Sequence, residues 1–464
     1  MNDERSIRSV AVAGGGIVGL SAANAFARAL PGSDLTVVEI PPGPAALADH
    51  LPTAHPNIAR FHALIGIDER ELVRAGVASY HLGTIFENWP AKSEPWVHAF
   101  GSYGKPAAAI PFDQIWVRAK CAGKALAYDR YSVGAALARA GKFVHPARDP
   151  EFVGSRFEYG LRLDPDLYRA RLREHAEGAG VRFIAGDVGA VERREDGGIA
   201  ALQLATGGAV EADWFIDCTG PTARLIGALD DSIEDWSAWI PFDCITLMSE
   251  AASAIPALAD RVCAGERGWT IDWPLHGRAL KARVGSDGDT KIARYRRLRP
   301  FVHNVLALGD AATALDPLHG FQLELVHRAI LLALELLPGR DFHPLEIDEY
   351  NRRAEQVMRR VRDFIALHYV QQVGVENAPD SLARTLDQYG YRGRMPFHED
   401  ESVTRDSWTA VLLALGVVPG NLDPASGLIP FEQAISAMER LAREIDQTVA
   451  ELPAYADYLA RITR

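Results

Sequence analysis

The chain has 464 residues, 48% hydrophobic and 24% charged, the balance of a globular protein with core enough for two or three domains. Its 49 basic and 61 acidic residues give a net charge of −12, which argues against a general nucleic-acid surface and leaves a local basic patch as the place for an anionic cofactor. Four cysteines without CxxC spacing, no signal-peptide order at the N-terminus and no apolar run of membrane-span length point away from a disulfide scaffold, a zinc site and a membrane protein; the expected location is the cytoplasm.

Ser9–Ala13 (SVAVA) reads as a short buried strand. It runs into Gly14-Gly15-Gly16-Ile17-Val18-Gly19, then a helical pattern from about Ile17 to Leu30 and a second strand at Leu35–Glu39. This is GxGxxG in its strand–turn–helix setting, with an acid, Glu39, twenty residues past the last glycine. Gly14 permits the tight turn, Gly16 lets the backbone approach a pyrophosphate, Gly19 lets the helix lie close to the strand, and Glu39 can take a ribose hydroxyl. The helix start at Ile17 and Val18 offers free N–H groups and the positive end of a dipole to phosphates. The motif alone does not separate FAD from NAD.

Further along, Gly76–Trp89 (GVASYHLGTIFENW) sets His81 in an apolar run, where a histidine is more often a core or rim residue than a catalyst. The stretch Trp89–Trp116, with Trp96, Phe100, Tyr103 and Phe112, reads first as core and second as part of a flat-ring pocket. A helix at Pro165–Ala179 and strands around Val181–Ile184, Ala200–Leu204 and Trp214–Ile216, ending in FIDCTG, suit a small sheet inserted in a nucleotide-binding core. Arg294–Arg299 (RYRRLR) reads as a solvated turn, with a place beside the cofactor phosphates as the alternative. Val305–Leu308 is strand-like and runs into Gly309-Asp310, and an apolar-rich helix follows at about Leu323–Leu337. That order resembles the second flavin fingerprint of FAD-dependent hydroxylases, in which the Asp reaches a ribityl hydroxyl. Ile435, Met438, Leu441, Ile445 and Val449 mark the buried stripe of a C-terminal helix.

Five segments together resemble the flavin-dependent tryptophan halogenase family over nearly the whole chain: VAVAGGGIVGLSAA (Val10–Ala23), FIDCTG (Phe215–Gly220), GWTIDWPLHGR (Gly268–Arg278), ALGDAATALDPL (Ala307–Leu318) and YNRRAEQVMRRVRDFIALHY (Tyr350–Tyr369). The resemblance implies an α/β, FAD-binding Rossmann-like core of the hydroxylase type with an inserted substrate-binding region and C-terminal helices. The implied core spans residues 1–345 with inserted segments at about 50–155 and 225–300, and a mainly helical region covers 346–464. It also implies FAD as cofactor, a separate reductase that supplies reduced flavin, and an aromatic, often indole-like, small-molecule substrate attacked by oxidised halide. A homodimer is an assembly the resemblance leaves open.

Three motifs depart from the family. Aligned through LGTIFENW, the family's lysine falls on His81; its glutamate falls on His319, and its Ser-Thr pair on Gly320-Phe321. The WxWxIP motif keeps Trp269 and Pro274 but has Ile271 at its second tryptophan. The resemblance turns His81 towards the active-site side with His319 across the same cavity, so the pair is expected to move protons near neutral pH. No third ligand accompanies them, and no metal is expected. The expected activity is halogenation or hydroxylation of an aromatic small molecule. The alternatives are a single-component NAD(P)H-dependent aromatic hydroxylase and a non-catalytic flavin-binding protein.

Overall fold

The first strand of the computed structural model, β1 (Ser9–Ala13), lies inside a six-stranded sheet. It leads through the glycine turn into α1 (Ile17–Ala29), then β2 (Asp34–Glu39), α2 (Pro165–Gly178), β3 (Arg182–Ala185) and β4 (Trp214–Asp217). The sheet is completed by β5 (Phe301–Val302) and β6 (Val305–Ala307), after which α3 (Gln322–Glu335) runs back. The strand order is β5-β6-β4-β1-β2-β3, parallel throughout except for the β5–β6 pair. Val10–Ala13 are all buried, the pattern of a parallel strand covered on both faces; α1, packed on α2 and α3, supplies one of the covers. From β1 the chain goes to β2 on one side and later to β4 on the other, so the carboxyl end of β1 is the switch point at which such sheets bind ligands.

The structure describes residues 6–107 and 110–462, and they fall into two compact units. The first comprises the chain up to Glu69 with Leu163–Ile245 and Asp287–Arg362, and so contains this sheet. The second comprises Arg70–Arg162, Thr246–Ser286 and the chain from Asp363 on. Its sheet sets Arg278–Gly285, Gly268–Pro274, Ala259–Gly265, Gly83–Glu87 and Trp96–Ala99 side by side, with Ala259–Gly265 and Gly83–Glu87 parallel and the other pairs antiparallel. Trp269, Ile271 and Trp273 alternate inward along one strand and are all buried. Ile435, Met438, Ile445 and Val449 are buried on the helix Phe431–Glu451, which packs on Val133–Ala140, whereas Leu441 of the expected stripe is only half-buried. In the stretch Trp89–Trp116 the rings of Trp89, Phe100, Tyr103, Phe112 and Trp116 are buried, as core. No described helix is long and apolar enough to cross a membrane.

One expectation is corrected. RYRRLR is no solvated turn: Tyr295–Arg297 is a strand in which Arg296 and Arg297 are buried. Arg296 is ion-paired with Glu234 at 2.5 Å and Glu355 at 2.8 Å, and Arg297 donates to the Ala311 carbonyl at 2.8 Å. A guanidinium can leave water when carboxylates and carbonyls replace its hydration, which the run of arginines alone does not reveal.

Candidate functional site

In the first unit the two expected nucleotide turns lie together. Gly14 leaves β1 with φ +133°, and a Cβ there would collide with the Cys218 carbonyl, so the turn requires glycine. Asp217 at the end of β4 holds the FIDCTG turn, accepting from the Leu225 and Ile226 N–H groups at 2.8 and 2.9 Å. A Cβ on Gly16 would overlap the carboxylate of Asp49. That carboxylate accepts from the Val18 N–H at 2.9 Å, at the start of α1, where no side chain of the helix's own caps the free N–H groups. Asp49 is buried, and burial pushes its carboxyl up to about 6 against the Val18 and Ile17 N–H groups and the nearby His50 and Arg169 charges, which favour the ionised form.

The second turn, Gly309–Ala311, presents the buried Asp310, whose Oδ2 accepts from the Ala48 N–H at 2.9 Å. Burial and the neighbouring Asp49 charge push the Asp310 carboxyl up to about 8, the Ala48 N–H only partly opposing them. Glu39, at the end of β2, is ion-paired with Arg173, whose guanidinium also lies over the Phe183 ring at 4.3 Å. The donor set suits a flavin dinucleotide: a glycine turn that admits no side chain, backbone N–H groups at a helix start, and an acid at the end of β2 and another in the second turn.

His81 belongs to the second unit. It ends the strand Ala78–His81 and is 1% exposed. Its Nε2 donates to the Gly83 carbonyl at 2.8 Å and lies 3.1 Å from Asp260 Oδ2. Both acceptors face Nε2, so a hydrogen on that nitrogen is partnered and Nδ1 is the ring nitrogen turned away from them. Nδ1 is buried without a hydrogen-bond partner among the described residues, and the Phe100 ring stands edge-on to the imidazole at 5.2 Å. Behind it, Asp260 Oδ1 meets Arg162 Nε at 2.7 Å, and Arg162 donates from Nη1 to the Pro274 carbonyl at 2.7 Å. Burial pushes the Asp260 carboxyl up, but His81 and Arg162 together hold it below the ordinary carboxylate value. Burial lowers the Arg162 guanidinium, with Asp260 opposing.

His319 lies in the first unit, buried, with φ +62° followed by Gly320 at +66°. A side chain rarely takes this left-handed backbone, and two such residues in succession make a sharp turn before α3. His55 donates from Nε2 to the His319 carbonyl at 2.8 Å, and Phe321 packs on His55 with ring centres 4.5 Å apart. In this loop the Leu318 N–H is taken by Asp316 at 3.1 Å and the Gly320 N–H by the Pro317 carbonyl at 3.0 Å. His81 and His319 thus have separate settings in different units.

The family model for tryptophan halogenase matches residues 9–290 and 281–430. The chain belongs to the tryptophan halogenase family. Among characterised members of the family, tryptophan 6-halogenase ThaL of Streptomyces albogriseolus is 24% identical, with 99% of each chain covered. Tryptophan 7-halogenase RebH of Lentzea aerocolonigenes is also 24% identical, covering 96% of this chain and 97% of that one. Among solved structures, BrvH, a flavin-dependent halogenase from Brevundimonas sp. BAL3, superposes with a TM-score of 0.92 at 30% identity, covering 98% of this chain and 99% of that one. Membership bears out the expected α/β flavoprotein fold, the enzyme class and FAD as the family's cofactor.

Three residues of these two sites are not evident from sequence patterns: Asp49, Arg162 and Asp260. Arg162 carries the clearest overlooked signal, a lone charge between Leu161 and Leu163 in a strand whose four residues are all buried. A charge at a core position requires a buried partner.

Proposed function

We propose that this enzyme takes reduced FAD from a separate flavin reductase and, with oxygen, halogenates or hydroxylates an aromatic, indole-like small molecule. Gly14, Gly16, Gly19 and the Ile17 and Val18 N–H groups would hold the pyrophosphate, Glu39 the adenosine ribose, and Gly309 with Asp310 the ribityl chain. The reduced flavin, oxygen and halide supply the electrophile. The chain's own residues then exclude water, hold the ring and take its proton: substitution breaks an aromatic C–H bond as C–halogen or C–O forms, and the proton leaves to a base.

The observation that supports this reading is the setting of His81: the Gly83 carbonyl and Asp260 both face Nε2, which leaves Nδ1 as the nitrogen that would accept the ring proton. His319, at the family's glutamate position, is the second proposed proton carrier. An imidazole relays protons well and carries active halogen poorly, so His81 acts as a base and not as a halogen carrier.

The test supplies the full chain with FAD, a flavin reductase, oxygen, bromide and a panel of indoles and phenols, read by mass spectrometry. The expected product gains bromine or oxygen. His81→Ala, given externally reduced flavin, should lose about two orders of magnitude in rate with FAD affinity intact. Cofactor oxidation from NAD(P)H without a reductase would favour the single-component hydroxylase. FAD binding without any product would favour a flavin-binding protein.

A further inference from the structure

Behind His81 lies a buried ion pair. The strand Ala259–Gly265 runs parallel to Gly83–Glu87 and brings Asp260 beside the imidazole, with Oδ2 3.1 Å from Nε2. The other oxygen, Oδ1, meets Arg162 Nε at 2.7 Å. Asp260 is 2% exposed and Arg162 fully buried, so water screens neither charge. As a device for stability such a pair is poor, since apolar side chains of similar volume often serve as well or better.

We propose that Asp260 is the positioning residue of this base: its carboxylate holds the hydrogen of His81 on Nε2, leaves Nδ1 for the substrate ring, and compensates the charge that the imidazole acquires with the ring proton. The proposal rests on the reading of His81 given above. As the aromatic C–H bond breaks, its electron pair returns to the ring and its proton bonds to the Nδ1 lone pair. The imidazolium then has a hydrogen on each nitrogen, with Nε2–H directed at Asp260 and at the Gly83 carbonyl 2.8 Å away. In a buried setting a carboxylate stabilises such a cation more than it would in water. Burial pushes the Asp260 carboxyl up, but His81 and Arg162 hold it below its ordinary value, so it stays an anion and does not take the proton itself. Tyr455, which faces Arg162 from the helix Tyr455–Ile462, is pushed up to about 12 by burial and stays neutral; its hydroxyl accepts from the Tyr80 N–H at 3.2 Å.

The test separates positioning from stability. Asp260→Leu combined with Arg162→Met removes both charges together and leaves no buried ion of this pair unpartnered, so the double variant should unfold close to the wild-type midpoint. Given externally reduced FAD, oxygen, bromide and the panel of indoles and phenols, it should lose about tenfold or more in kcat with KM nearly unchanged, because the lost interaction strengthens only as the proton moves. Nitrogen-15 spectra of the histidine rings, with the His81 signals assigned by their absence in His81→Ala, need no turnover. The neutral His81 of the wild type should carry its hydrogen on Nε2, and that hydrogen should resonate further downfield than in the double variant, as in a bond to a carboxylate. A double variant as stable and as fast as wild type, or a wild-type His81 with its hydrogen on Nδ1, overturns the inference. If the double variant does not fold, the wild-type spectra decide alone. His81→Ala at the wild-type rate, or a wild type that yields no product, overturns the reading of His81 as the base and the inference with it. A slow His81→Ala beside a fast double variant overturns the inference alone.

Discussion

Asp310→Asn should change how the stability of the cofactor-free protein depends on pH. Asp310 is 3% exposed, and its carboxyl is raised from 3.8 to about 8. Between these values the native state holds a proton that the unfolded state has released. Stability must therefore fall as pH rises, by about 1.4 kcal/mol per pH unit, and the fall ends only as pH passes the folded value. From pH 5.5 to 7.5, a window below about 8, this one group removes about 3 kcal/mol. Asparagine keeps the size and an acceptor for the Ala48 N–H but does not titrate. For a chain of 464 residues the entropy of unfolding is about 1 kcal/mol/K, so the difference amounts to about 3 °C. Differential scanning calorimetry of wild type and Asp310→Asn at the two pH values measures it. Wild type should lose about 3 °C more than the variant on going from pH 5.5 to 7.5. Parallel pH profiles would falsify the claim that Asp310 is held protonated by its burial in the folded protein.

Other outcomes follow from the same geometry. Asp260→Asn leaves the fully buried Arg162 without its charge partner and should cost about 3–5 kcal/mol in denaturant unfolding; adding Arg162→Met should restore most of that, and no recovery would mean the two are not a buried pair. The loop after Pro317 offers no side-chain hydroxyl at Gly320 or Phe321, and its Leu318 and Gly320 N–H groups are already bonded. Chloride should accordingly leave the absorbance and oxidation rate of bound flavin unchanged, and a saturable effect at low millimolar chloride would contradict that reading of the loop. Arg296→Ala should destabilise the protein by about 1–3 kcal/mol in the same unfolding assay, the scale of lost charge-assisted hydrogen bonds, because Glu234 keeps Arg359 and Arg362 and Glu355 keeps Arg359; an exposed arginine would cost under about 1 kcal/mol.

Much of the first unit is legible in the sequence. The strand–glycine–helix order from Ser9, the acid at Glu39 and the Gly309-Asp310 turn ahead of an apolar helix are patterns of near neighbours, and the structure forms them with boundaries shifted by one or two residues. The glycines were legible for the same reason: a turn of this curvature excludes a side chain whatever the rest of the fold does. The burial of His81 was legible from its place in the apolar run Gly76–Trp89.

Tertiary structure decided where the charges went. RYRRLR reads as solvated, yet Arg296 is buried because Glu234 and Glu355 come to it from distant segments. Asp49 reads as an ordinary polar residue in a loop, yet it fills the start of α1, and its neighbour Ala48 is bonded to Asp310 across 262 residues. Which nitrogen of His81 carries the hydrogen depends on Asp260, brought alongside by the parallel pairing of Ala259–Gly265 with Gly83–Glu87. Backbone turns and periodic burial are set by residues a few positions apart. A buried charge must instead find whatever partner the completed fold delivers, since desolvation penalises it until one arrives.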